Sequence, residues 1–158
     1  MVHAGDQDDN VTSSLTVLGV TLLGGAGNDN LVSGSANDTL EGEEGSDFLS
    51  GGAGNNTLIG GSGADRIFGG LGNDSIEGRD GSDVINGNAG NDVIDGGPGN
   101  EQIVAGPGND YAGGGRGRDS STRWTTSAAM TTSKEVPKWT TVAPIWATTS
   151  TDAPDGRA

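Results

Sequence analysis

The chain has no cysteine, a single histidine and an aromatic content of only 4%, and its eight lysines and arginines face 22 aspartates and glutamates. Each shortage removes a class of protein. Without cysteine no disulfide can staple a small core, and nothing marks the redox compartment. A formal net charge of −14 argues against nucleic acid or anionic membrane as partners, because both are held through basic patches. No apolar run reaches the ~18 residues that mark a membrane-spanning helix, so membrane insertion is not expected. The lone His3 excludes paired-histidine metal centres, and its place in an N-terminal tail expected to be frayed excludes a Ser-His-Asp triad. There is no G-x-S-x-G elbow, and the Gly-x-Gly pairs lack the helix that a phosphate-binding loop requires. Catalysis is not expected. The first ten residues, MVHAGDQDDN, lack the charged-then-apolar pattern of a signal peptide. Only 30% of the residues are hydrophobic, and low hydrophobicity with high charge predicts disorder for the chain without a ligand.

What the chain has in excess is glycine, 31 of 158 residues, and the glycines are periodic. From Gly24 to Thr122 a nine-residue unit recurs eleven times without insertion or deletion, from GGAGNDNLV at the start to the worn GGRGRDSST at the end. The shared pattern is Gly-Gly-x-Gly-x-Asp-x-(Leu/Ile)-x. A fixed short period means stacked coils in place of a globular core. Glycines at positions 1, 2 and 4 permit positive φ and close backbone approach, which predicts a tight loop over the first six residues. The last three alternate like a strand, with the middle side chain inward. The predicted inward row is Leu31, Leu40, Leu49, Leu58, Ile67, Ile76, Ile85, Ile94 and Ile103.

With two repeats per coil, loops fall on opposite sides and each stacks on the loop 18 residues away. A first loop column then carries Asp29, Asp47, Asp65, Asp83, Glu101 and Asp119, and a second carries Asp38, Asn56, Asp74, Asp92 and Asp110. Adjacent strands lie ~4.8 Å apart. Bare carboxylates at that pitch repel, and a hard divalent cation between them turns repulsion into coordination.

These in-phase copies resemble the repeats-in-toxin (RTX) family of haemolysin-type calcium-binding nonapeptides. The resemblance implies an all-β fold, a right-handed parallel β-roll, with several Ca²⁺ ions held between successive loops. It carries the ligand role to the sixth-position carboxylates Asp29, Asp38, Asp47, Asp65, Asp74, Asp83, Asp92 and Asp110, and to backbone carbonyls around Gly51, Gly60, Gly69, Gly87 and Gly96. The sequence departs from the pattern at Asn56, which offers a neutral oxygen, at Glu101, a longer arm, and at Ser33 and Ala105, which replace the first glycine. A core of nine aliphatic side chains is small for so glycine-rich an array, so calcium binding is expected to supply folding energy. Extracellular modules of this sort tune to about 10⁻⁴–10⁻³ M calcium, and the implied setting is a secreted, extracellular protein. The family also includes secreted proteases, lipases and toxins with such arrays behind a catalytic domain, and adhesion or ice-binding members. Here only about 23 residues precede the array, and its third positions are too irregular for a flat ice-binding ladder. Val32, Phe48, Phe68, Val84 and Val104 are expected to line one outer sheet face, either as a docking stripe for an unidentified partner or as ordinary strand formers.

The expected organisation is a polar, poorly ordered segment 1–14, a capping strand within 15–23 in which Leu22 keeps the phase of the repeat, the array 24–122, and a tail 123–158 rich in Thr, Ala, Ser and Pro. The tail has a property of its own. Tryptophan and methionine codons end in G and threonine codons begin AC, so Trp124-Thr125, Met130-Thr131 and Trp139-Thr140 all encode Asp when read one base earlier. The last two forced Asp codons are nine apart. The tail from about residue 120 is therefore expected to be an out-of-frame translation of further repeats, with a genuine Thr-rich linker as the alternative. Sequencing of the coding DNA is expected to show Gly and Asp codons continuing in the shifted frame, and their absence there would end the idea.

Overall fold

A computed structural model describes residues 1–14 and 16–124, and all of the described secondary structure is β. The strands are β1 (Val2–Gly5), β2 (Asn10–Thr12), β3 (Thr21–Ala26), β4 (Asn30–Val32), β5 (Thr39–Glu44) and β6 (Phe48–Ser50). The chain continues with β7 (Thr57–Ser62), β8 (Arg66–Leu71), β9 (Ser75–Asp80), β10 (Val84–Ala89) and β11 (Val93–Asp95). It closes with β12 (Pro98–Gly99), β13 (Gln102–Pro107), β14 (Tyr111–Gly113), β15 (Arg116–Gly117) and β16 (Ser120–Trp124). The chain alternates between two seven-stranded parallel sheets, ordered β1-β3-β5-β7-β9-β11-β14 and β16-β13-β10-β8-β6-β4-β2, with β12 and β15 as a separate pair. This is a β-solenoid, the β-roll expected from the repeat. Its register is 18 residues along the array, with Leu58 against Ile76 in one sheet and Ile67 against Ile85 in the other, and slips by one only after Val104, where Gly106 pairs with Arg123.

The core is one file of aliphatic side chains between the sheets. Leu31, Leu40, Leu49, Leu58, Ile67, Ile76, Ile85, Ile94 and Ile103 are all buried, and Leu22 joins the file ahead of them. Each contacts its neighbours along the stack, so stability accrues coil by coil. Val32, Phe48, Phe68, Val84 and Val104 do lie on strands of the second sheet, where the Phe48 and Phe68 rings pack with centroids 5.5 Å apart.

Two expectations change. Residues 1–14 are not a featureless polar segment: β1 pairs with β3 and β2 with β4, at a spacing of 20 residues. Asp9-Asn10-Val11 stacks beneath Asp29-Asn30-Leu31, with the Asp9 backbone N–H donating to Asp29 Oδ1 at 2.8 Å, and Val11 packs on the core. This is a worn coil that two extra residues put out of phase. His3 accordingly sits on β1 opposite Leu23. Several strands, among them β5, β7, β8, β9 and β10, are also longer than three residues, because pairing there resumes in the next repeat. Between β5 and β7 the register pairs Glu41 with Ile59, passes over Gly42 and Gly60, and takes up again at Glu43 and Gly61. The first position of each repeat is thus a corner in the ladder. Calls that fall on residues 125–158 lie outside the described residues.

The second position after that corner needs a left-handed backbone. Gly61 has φ 125°, and where the glycine is replaced the substitute is forced into the same region: Glu43 at 78°, Arg79 at 69° and Asn88 at 67°. Left-handed φ costs a residue with a Cβ roughly 1–2 kcal/mol, and the exposed Arg79–Glu77 pair at 3.4 Å offsets little of it. Arg79→Gly is therefore expected to raise the thermal stability of the chain at fixed calcium by about 1 kcal/mol. Gly63→Ala, whose φ is 128° and whose methyl would strike the Gly45 carbonyl, is expected to lower it by more than that. Thermal unfolding of the two variants at one calcium concentration checks both signs.

Candidate metal centre

Every predicted sixth-position residue from Asp29 to Asp110 is buried inside its loop column, whereas Asp119, at the worn end of the first column, is exposed. Their carboxylates are used asymmetrically. One oxygen accepts the backbone N–H of the equivalent residue one coil earlier: Asp47 Oδ1 from Asp29 at 2.7 Å, Asp65 Oδ1 from Asp47 at 2.8 Å, and Asp83 Oδ1 from Asp65 at 2.9 Å. In the second column Asp92 Oδ1 accepts from Asp74 and Asp110 Oδ1 from Asp92, both at 2.9 Å. The other oxygen, Oδ2, is buried without a hydrogen-bond partner in Asp29, Asp38, Asp47, Asp65, Asp74, Asp83, Asp92 and Asp110. An unpartnered buried carboxylate oxygen is costly, and here the same cost recurs along both columns.

The orphan oxygens share one surrounding. A methyl group built on Gly69 would lie 2.5 Å from Asp74 Oδ2 and 2.7 Å from the Gly87 carbonyl oxygen of the next coil. The same convergence appears at Gly42 with Asp47 and the Gly60 carbonyl, and at Gly78 with Asp83 and the Gly96 carbonyl. The corner glycine is thus required because a carboxylate of its own loop and a carbonyl of the following coil both close on it. Of the carbonyls expected from sequence, those of Gly60, Gly87 and Gly96 flank an aspartate in this way. Gly69 flanks Asn56, and Gly51 O instead accepts a hydrogen bond from Ser33 Oγ at 2.8 Å. Sequence reasoning missed three further carbonyls: Gly42 beside Asp29, Gly78 beside Asp65 and Ala105 beside Asp92. The constant offset from first position to sixth was the signal that could have found them. Among the described residues no three His, Cys, Asp or Glu side chains converge on one point. A cation here would therefore take part of its shell from backbone oxygen, and the donor set of carboxylate and carbonyl suits hard, oxygen-loving Ca²⁺.

Another ladder escaped the sequence reading. The fifth positions of the second column, Asn37, Asn55, Asn73, Asn91 and Asn109, form an unbroken chain in which each Oδ1 accepts the next backbone N–H at 2.7–2.8 Å. In the first column the equivalent chain starts at Asn28 and Ser46 and lapses at Ala64, which has no acceptor to offer. These links tie loop to loop without any metal.

Burial dominates the acid–base behaviour of the columns. It pushes the Asp65 carboxyl up to about 7, with repulsion from Asp47 and Asp83 adding to it and the Asp47 N–H working against it. Asp92 is pushed up to about 6 in the same way, between Asp74 and Asp110. Burial also raises Asp47, Asp74 and Asp83. Glu101 is raised by burial and then by its neighbour Asp119. An unfolded aspartate titrates near ~3.9, so the metal-free roll binds more protons than the unfolded chain. Its stability is fullest below about pH 4 and is lost as the pH rises through about 6–7. In chelator, residual strand signal is therefore expected to grow on acidification from pH 8 to pH 4. With calcium the trend reverses, since protons compete for the same oxygens, and the calcium midpoint is expected to rise as the pH falls. Circular dichroism at several pH values, with chelator and with calcium, tests both signs.

Comparison with known proteins agrees with this geometry. The chain matches no curated protein and no solved structure. A family profile described as the RTX calcium-binding nonapeptide repeat matches it four times, over residues 23–58, 41–76, 77–112 and 87–120. These matches extend over more than half of the chain, and with the stacked loops and their orphaned carboxylates they establish that the chain belongs to the RTX calcium-binding nonapeptide repeat family.

Proposed function

We propose that the array is a calcium-triggered folding module of a secreted protein, in which Ca²⁺ ions between successive loops supply the free energy that the narrow core lacks. The observation that carries this reading is the row of buried aspartate Oδ2 atoms with no partner, which recurs along both columns. A hard cation offers each of them a positive partner and removes the repulsion between carboxylates stacked at ~4.8 Å. The ligands are the carboxylates of Asp29, Asp38, Asp47, Asp65, Asp74, Asp83, Asp92 and Asp110, completed by carbonyls of the corner positions. Binding and folding are then one event, because the loops that form the sites exist only when coils are stacked. A chain that is expanded at low calcium and folds at the about 10⁻⁴–10⁻³ M range of extracellular modules suits passage out of a calcium-poor cytoplasm. The module's role is structural: its only histidine, His3, pairs within the first sheet opposite Leu23, far along the stack from the central carboxylates.

Far-ultraviolet circular dichroism across a calcium titration tests the mechanism. The chain is expected to be largely disordered in chelator and to gain strand signal cooperatively at millimolar calcium. Equal sheet content in excess chelator would falsify the switch. In the same titration Asp74→Ala, which removes a buried carboxylate stacked on that of Asp92, is expected to shift the midpoint to higher calcium and blunt the cooperativity. Asp119→Ala, at an exposed position on the last coil, is expected to change it little. Equal shifts would show that all loops contribute alike.

A further inference from the structure

Asn56 breaks the row of orphaned oxygens in the second column, and the way it does so is specific. Its Oδ1 accepts the Asp38 N–H at 2.9 Å, and its own N–H donates to Asp74 Oδ1 at 2.8 Å, so the ladder passes through it intact. That first bond fixes the amide orientation, because the reversed amide would set an NH₂ group against an N–H donor. The atom in the place of the orphaned Oδ2 is therefore the Nδ2 nitrogen, 2.7 Å from where a methyl on Gly51 would stand, and it donates to the Gly54 carbonyl at 3.3 Å. An NH₂ group presents hydrogens where a cation needs oxygen. On the other side of the Asn56 loop, toward the Asp38 loop, Ser33, standing where the repeat has its corner glycine, donates its hydroxyl to the Gly51 carbonyl at 2.8 Å. Two carbonyls of the Asn56 loop are thus met by protein donors, and no oxygen of the Asn56 side chain is left without a partner.

We propose that this loop is a metal-free clasp: Asn56 and Ser33 close it by hydrogen bonds in the place of calcium, and the second column's row of ions is interrupted there. The inference rests on the calcium reading above. Two neutral side chains do the work of one carboxylate and part of a cation shell. The interface between the Asp38 and Asn56 loops therefore carries less charge repulsion than the interfaces of the all-carboxylate first column. It is also the interface whose closure depends least on calcium.

Counting bound calcium on the full chain, by equilibrium dialysis or titration calorimetry at saturating calcium, tests the clasp. The double variant Ser33→Gly/Asn56→Asp restores the repeat pattern and is expected to bind at least one ion more than the unaltered chain, and to be less folded in chelator. An unchanged ion count in a folded double variant overturns the clasp while leaving the calcium reading in place. No calcium on the unaltered chain overturns both. If the double variant does not fold, Asp74→Asn decides from the other direction, by placing a second asparagine amide between Asn56 and Asp92 in the same column. A folded Asp74→Asn chain with at least one ion fewer supports the clasp, and an unchanged count overturns it, since an asparagine in this setting would then hold the ion.

Discussion

Each sixth-position aspartate holds the backbone N–H of the loop before it with one oxygen, as Glu101 does not, and that bond governs most of the rest of the structure. It fixes the loop-to-loop stacking, and with it the 18-residue register of both sheets. It also pins the carboxylate inside the loop, where the second oxygen has no protein partner. A fold that stacks by burying one charged group per loop accumulates desolvation and repulsion with every coil added. The aliphatic file between the sheets, although fully buried, grows by only one side chain per repeat. The imbalance between these two series is what the proposed calcium-driven folding would relieve.

The glycines follow from the same arrangement. The corner glycine is required by contact, since carboxylate and carbonyl both close on it, as at Gly69. The second-position glycine is required by conformation, and Glu43, Arg79 and Asn88 show that the fold imposes positive φ even on side chains that resist it. The two replacements of the corner glycine differ in chemistry. Ser33 brings a hydroxyl that finds a carbonyl of the next coil, whereas Ala105 brings a buried methyl and no donor.

The two loop columns are not equivalent. The second has a continuous asparagine ladder on its outside and a neutral residue among its carboxylates. The first keeps a corner glycine in every copy and carries an acid at every sixth position, with its outer ladder interrupted at Ala64. Charge is therefore concentrated on one edge of the roll. Asp65, in the middle of that edge, is pushed up to about 7 by burial with an aspartate on either side.

The sequence by itself determined the all-β stack, the inward file from Leu31 to Ile103, the membership of both loop columns and the carboxylates turned into them, because a strict nine-residue period leaves one way to stack. The worn first coil around Asp9 and Val11 was hidden by a two-residue slip that removes it from the period, although it repeats the Asp-Asn-apolar order of Asp29 to Leu31. Tertiary structure alone decided which oxygen of each carboxylate is bonded and which is orphaned, and which carbonyl faces it. It also decided that Asn56 turns a nitrogen toward the place where its neighbours turn an oxygen. Those outcomes depend on the backbone one coil away, where the partner N–H and carbonyl lie 18 residues distant in sequence but a single strand spacing distant in space.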